Sequence, residues 1–226
     1  MSLYNYAYSL IAENIDLFRF FYSILIAFIC LIVVIKTDRL FRISFHQGIR
    51  YFRNAFFFYG IAFILRYSLA YSSYFFLAKA FFQFFIIMAG FFLLYSLLWK
   101  NFETSKGSRS SFFNPIIFIF YIITLIIIIL DYLWVTYSFM FFSQILLFGL
   151  ASIISCRNYK KNGKKHKFLK LYFIIMILSF FAWAFNFIFG SFFNWRLRWL
   201  ANVYALNIIV FLVFLYGVIK LTKKQN

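Results

Sequence analysis

The chain has 226 residues, 65% of them hydrophobic and 27% aromatic, and only 12% charged. A soluble domain of this length has too little interior to hide so many apolar side chains, so the composition excludes an ordinary water-soluble fold. The formal net charge of +18 comes from 23 Lys and Arg against 5 Asp and Glu. Those charges fall between apolar runs and no nucleic-acid-reading motif accompanies them, so they point to membrane topology and anionic headgroups, with no nucleic acid as partner.

The first residues carry Glu13 and Asp16 and no basic n-region, so the first apolar run is expected to be retained rather than cleaved as a signal peptide. A helix needs about 20 apolar residues to cross the hydrocarbon core. Seven runs qualify, at 17–35, 52–72, 74–98, 115–134, 138–156, 169–189 and 199–220. The fold class is therefore an all-α integral membrane protein with seven transmembrane helices in a single domain. Alternating ten-residue segments, the mark of a closed barrel, are not visible.

Lys36, Arg39, Arg42, Arg50 and Arg53 follow the first span, Lys100, Lys106 and Arg109 the third, a run reading RNYKKNGKKHKFLK the fifth, and KLTKK the seventh. All four stretches fall on one side, which the positive-inside bias assigns to the cytoplasm. Arg196 and Arg198 alone break the pattern. The expected arrangement is a multi-pass cell-membrane protein with its N-terminus outside and its C-terminus in the cytoplasm. Tyr71, Tyr74, Tyr132, Trp134, Trp195 and Trp199 are expected in the outer aromatic belt, and Tyr51, Trp99 and Tyr172 in the inner one. Asn114 before Pro115 makes a good helix start for the fourth span.

Between spans one and two, Arg39, Arg42, His46, Arg50 and Arg53 recur at threes and fours, which defines a basic amphipathic interfacial segment over 38–53. Contact with anionic lipid headgroups, or docking of a cytoplasmic partner, fits this segment. If one helix runs unbroken from this foot into span two, His46 and Arg66 lie about 200° apart around its axis, and Gly48 is the residue that could break it.

Polar residues within the spans concentrate toward the outer side. Arg66 lies in span two, Lys79 and Gln83 in span three, Asp131 at the end of span four, Gln144 in span five, Asn186 in span six and Asn207 in span seven. Because lipid exposure of such groups is costly, they are expected to face the bundle interior or water. Together they outline an outward-facing ligand-binding cavity, with Tyr59 and Trp183 as its floor. Arg66 and Lys79 would supply charge, Asp131 would balance it, and the amides would hydrogen-bond the ligand. The competing interpretations stay open at this stage. The cations could snorkel to headgroups, Asp131 could be a structural counter-ion, and the amides could join helices to each other.

At a separation of 120 residues His46 matches His166, Arg50 matches Lys170 and Arg66 meets Asn186, while FFYSIL and FFSQIL match at 121. A parallel duplication of three helices about an odd fourth, 3+1+3, accounts for this, as does chance in a Phe- and Ile-rich chain. No motif ties the chain to a family. The topology alone is shared by opsins, receptors and small carriers, and it does not decide function. Paired aspartates, a Ser–His pair, a metal-ligand cluster and a phosphate-cradling loop are all missing, so no enzyme, metal or cofactor is expected. Cys30 and Cys156 make no disulfide framework.

The expected function is a sensor or receptor-like membrane protein that binds a small polar or anionic ligand and signals through a separate cytoplasmic partner. A small-solute transporter and a non-catalytic subunit of a membrane assembly are the alternatives. The orientation is directly checkable: a fluorescent protein fused after Asn226 is expected to fluoresce in intact cells, and a dark, exported fusion would reverse the topology.

Overall fold

The structure is a computed structural model that describes residues 14–44, 47–68, 75–102, 115–134, 136–162, 167–191 and 197–225. Among the described residues there are seven helices and no strand. They are α1 (Ile15–Ser44), α2 (Gln47–Ser68), α3 (Phe75–Phe102), α4 (Pro115–Leu133), α5 (Ser138–Asn162), α6 (Lys167–Ser191) and α7 (Leu197–Gln225). Every helix but α2 is long and apolar enough to cross a membrane. The protein is an all-α, multi-pass membrane protein.

The helices start where the apolar runs start, at Pro115 and Ser138 for α4 and α5, but most outrun them at the basic end. α1 continues to Ser44, α5 to Asn162 and α7 to Gln225. Hydropathy measures hydrocarbon thickness, whereas a helix persists wherever its backbone bonds are made. At 30 residues α1 is about 45 Å long, well beyond the bilayer core.

Each helix reverses the direction of the last, so the ends of the bundle differ. One end gathers Asp16, Arg66, Lys79 and Tyr137, which line one cavity. The other gathers Asp38, Arg42 and Arg53, which pair with one another, together with Arg157, Lys160 and Lys161 late in α5. Around the axis, α1 packs on α2, α2 on α3, α3 on α5, α5 on α6, α6 on α7, and α7 back on α1. These six close a ring. α4 lies outside it against α3 and α5, and of its side chains only Ile117, Thr124 and Asp131 are buried. Its Phe118, Ile119, Ile122, Leu125, Ile126 and Ile129 are exposed, as are Leu17, Phe21, Phe28 and Ile35 of α1. In water such a surface would be untenable; in lipid it is the solvent-facing side.

α2 is the polar exception. Arg50, Arg53, Asn54 and Arg66 dilute its hydropathy, and of its described large apolar side chains only Phe57 and Ile64 are exposed. It packs between α1 and α3 and faces the ring interior, where polar groups find partners. The half of the ring toward the basic end is filled with aromatic rings. Phe56 meets Phe214 at 5.0 Å and Phe52 at 4.9 Å, and Tyr51 meets Tyr95 edge-on at 4.5 Å. Tyr51 is buried and the Tyr172 hydroxyl lies 3.4 Å from that of Ser96. These two tyrosines therefore serve the interior rather than a lipid-facing belt, Tyr51 through its ring packing and Tyr172 through its hydroxyl. Tyr132 and Trp134 do stand exposed at the cavity end.

The basic segment 38–53 is divided between two helices. α1 ends at Ser44 and α2 begins at Gln47, and Arg53 reaches back to the carboxylate of Asp38, which also accepts from Arg42 Nε at 3.0 Å. The unbroken helix expected from the spacing is thus a hairpin. Two of its arginines are held by an acid of the same segment, and the Arg53 guanidinium also lies over the Phe41 ring at 5.8 Å. Arg39 is exposed and Arg50 half-buried; His46 lies outside the described residues. The hairpin depends on Gly48, where an added Cβ would meet Trp99 Nε1 at 2.7 Å and the Ser96 carbonyl oxygen at 2.9 Å. Backbone cannot yield as a side-chain tip can. Gly48→Ala is therefore expected to cost about 1–3 kcal/mol by overpacking and to lower the thermal unfolding midpoint in detergent. Gly60→Ala, whose Cβ would reach only Cys30 Cβ at 3.4 Å, should change it little.

Candidate functional site

At the end opposite the basic segment, the ring encloses a cavity of about 510 Å³. All six ring helices line it and α4 does not. α1 supplies Asp16, Arg19 and Tyr22, α2 supplies Tyr59, Phe63 and Arg66, and α3 supplies Lys79, Phe82 and Ile86. From the other half come Met140 and Phe148 of α5, Ser179, Trp183 and Asn186 of α6, and Asn207, Val210 and Phe214 of α7. Among the described residues its mouth is marked by Asp16, whose side chain is 69% exposed.

The cations at the mouth are held by aromatic faces. The Arg66 guanidinium lies 4.9 Å from the Phe82 ring centroid, and Lys79 Nζ lies 4.2 Å from that of Tyr137. Such contacts stabilise a cation, and the Asp131 carboxylate adds an electrostatic attraction on Lys79. Arg19 Nη1 lies 3.5 Å from Asp16 Oδ1, one helical turn away. The lining therefore carries Arg19, Arg66 and Lys79 against Asp16. Tyr137, between α4 and α5, has its hydroxyl pKa raised by burial; the Arg66 guanidinium opposes this and the Asp131 carboxylate adds to it. The phenol is thus a neutral hydrogen-bonding group at ordinary pH.

Deeper in, Asn186 and Asn207 form a reciprocal amide pair between α6 and α7. Asn186 Nδ2 donates to Asn207 Oδ1 at 3.1 Å and to the Ala182 carbonyl at 2.8 Å, and Asn207 Nδ2 donates to Asn186 Oδ1 at 3.4 Å. Below them the Trp183 indole approaches the Tyr59 hydroxyl, which brings α6 and α2 together across the ring. Tyr22 stacks on Tyr204 at 4.2 Å and closes α1 against α7.

Of the polar residues singled out in the sequence, Arg66, Lys79, Asn186, Asn207, Tyr59 and Trp183 line this one cavity. Gln83, Asp131 and Gln144 lie beside it, outside its lining, and are held by one another's helices. The Asp131 carboxylate accepts from Phe139 N and Met140 N at 2.9 Å each, from Gln83 Nε2 at 3.1 Å and from Thr136 Oγ1 at 3.3 Å. It sits at the end of α4 but satisfies the first amides of α5, where N–H groups lack helical partners and the helix dipole favours an anion. A single carboxylate thus ties α3, α4 and α5 together. Gln144 Nε2 donates to the Ile86 carbonyl at 3.3 Å. It lies flat on α3 because Gly90 has no side chain; a Cβ there would be 2.7 Å from Gln144 Oε1.

Sequence reasoning left Arg19, Tyr22 and Ser179 out of the candidate set, although all three line the cavity. Arg19 did carry a signal: it stands three residues after Asp16 at the head of a span, where a charge in lipid would be costly. A second regularity emerges only with the lining in hand. On α2 the lining positions are Tyr59, Phe63 and Arg66; on α6 Ser179, Trp183 and Asn186 line it at the corresponding positions, with Ala182 in addition. Each pair is 120 residues apart, as are the helix starts Gln47 and Lys167. Among the described residues no group of three His, Cys, Asp or Glu is gathered.

No protein-family model, curated protein or solved structure matches this chain.

The Asp131 node makes a stability prediction separate from the cavity. Asp131→Asn replaces an acceptor oxygen by a donor that faces N–H groups. It is expected to cost about 1–3 kcal/mol, read as a lowered unfolding midpoint in detergent, and an unchanged midpoint would remove Asp131 from the architecture.

Proposed function

We propose that this is a seven-helix membrane sensor, with α2 as its seventh span, that binds a small anion in the ring cavity. The positive-inside bias then places the cavity outside the cell and the C-terminus in the cytoplasm. The observation that carries this reading is the lining itself: Arg19, Arg66 and Lys79 face Asp16 at one end of the ring, and the other end is filled by Phe52, Phe56 and Phe214. A site with an excess of cations over acids in low-dielectric walls attracts and retains anions.

A bound anion would draw Arg66 on α2 and Lys79 on α3 toward Asn186 and Asn207 on α6 and α7. Ligand and helix arrangement are then linked, because the ligand favours whichever arrangement brings those groups closest. The Tyr59–Trp183 contact is where such a shift would pass from the cavity to the aromatic half. At the basic end, Arg39 and Arg42 stand exposed and would meet lipid headgroups or a cytoplasmic protein partner.

A second reading, a small-solute carrier, draws on the matched lining of α2 and α6 at a separation of 120 residues. Repeated helix units around a central site are a transporter architecture. Against it stands the aromatic packing of the basic half, through which a solute would have to pass.

Purified protein screened by thermal shift against a panel of small anions is expected to give a stabilising hit that Arg66→Ala abolishes. A broad panel without a hit removes the sensor reading. Uptake of the hit into proteoliposomes would decide for the carrier.

A further inference from the structure

We propose that the ligand of this cavity is an amphipathic anion, with its charged head at the mouth and an apolar body in the depth. The inference rests on the anion-binding reading above and adds the ligand's chemical class. It comes from how the lining is graded along the bundle axis. On α2, Arg66 at the mouth gives way to Phe63 one turn deeper. On α3, Lys79 gives way to Phe82 and Ile86. On α7, Asn207 gives way to Val210 and Phe214. Three helices change from polar to apolar in the same direction and over the same few turns.

A small hydrated anion uses only the upper part of such a site. The lower part would stay unfilled, because an apolar chamber does not hold water well. A wholly apolar ligand fills the lower part but strips water from Arg66 and Lys79 without replacing it, which is costly for a charge. A ligand with an ammonium group would meet the same two cations. A carboxylate on an aliphatic or aromatic body matches both zones: the head engages guanidinium and ammonium, and the body lies among Phe82, Phe214 and Val210. The volume, about 510 Å³, is in the range that encloses a small organic molecule. The polar groups at depth are already engaged within the protein: Ser179 donates to the Ile175 carbonyl at 2.9 Å, and the Trp183 indole and the Tyr59 hydroxyl approach one another. The floor therefore makes little polar demand on the ligand.

The test uses the full chain in lipid nanodiscs, with binding to empty discs subtracted, and three probes: decanoate, acetate and decanol. Decanoate is expected to bind about tenfold or more tightly than either of the others. Arg66→Gln and Lys79→Gln should each weaken decanoate by about tenfold or more. Val210→Phe, and independently Ile86→Phe, should weaken decanoate and leave acetate unchanged. If acetate binds as tightly as decanoate and the cavity-filling variants have no effect, the amphipathic assignment falls and the anion site stands. If decanol binds as tightly as decanoate and the charge variants do nothing, the anion site falls and this inference falls with it. If Arg66→Gln and Lys79→Gln do not weaken decanoate while Val210→Phe does, the ligand is held by its body alone, and the proposed head position is wrong.

Discussion

A polar group in hydrocarbon has no water to bond, and most of this architecture follows from that constraint. Every helix presents apolar residues to lipid and turns its few polar ones inward. Asp131 shows how much one such group can organise. Its carboxylate is buried, so it needs donors, and it finds them on α3, on α5 and in the connection between α4 and α5. Satisfying one acid thus fixes the angle between α4 and α5 and seats α3 beside them. Gln144 on the α3 backbone at Gly90, and Asn186 with Asn207, are smaller instances of the same accounting, in which a side-chain amide bridges two helices.

The ring produces a cavity because its two halves are filled differently. Toward the basic end, rings from α2, α3, α6 and α7 interlock, and the large aromatic side chains occupy the axis. Toward the other end, α1 and α7 meet through Tyr22 and Tyr204, and the side chains at the axis are cations, amides and the edges of aromatic rings. Cations resist close packing with one another, so the space between them stays open. A chain with 27% aromatic residues can afford this, because the sealed half supplies the packing that the open half gives up. α4 is left outside the ring by chemistry rather than by length. It has almost no polar residue to hide, and Asp131 at its end is enough to attach it.

The proposed sensor and the amphipathic ligand class draw on the same gradient. Charge at the mouth selects the sign of the ligand, and the apolar depth selects its body. The bridge between Tyr59 and Trp183 links the floor to two opposite sides of the ring. Occupancy of the cavity and the packing of the aromatic half are therefore mechanically adjacent, which is the condition any signal through this bundle must meet.

The positions of the apolar helices and the clustering of basic residues near the ends of α1, α5 and α7 were legible in the sequence, because a run of apolar residues reports where a helix can be buried in lipid. Pro115 and Ser138 mark helix starts as expected, and Arg66, Lys79, Asn186 and Asn207 line one cavity. What a one-dimensional pattern does not carry is rotation around each helix and the order of helices around the axis. Gln83 and Asp131 bond to each other and Gln144 bonds to the Ile86 carbonyl, so these three serve the packing of α3, α4 and α5 rather than the cavity. Arg53 looked like part of a surface stripe, yet it turns back to Asp38, because α2 packs antiparallel against α1. By itself the sequence determined that this chain lives in a membrane and how its charge is distributed along the membrane normal, since those depend on composition and spacing alone. Which polar groups share a cavity and which bond to each other was decided by the tertiary structure, because pairing depends on distances between helices that no single helix encodes.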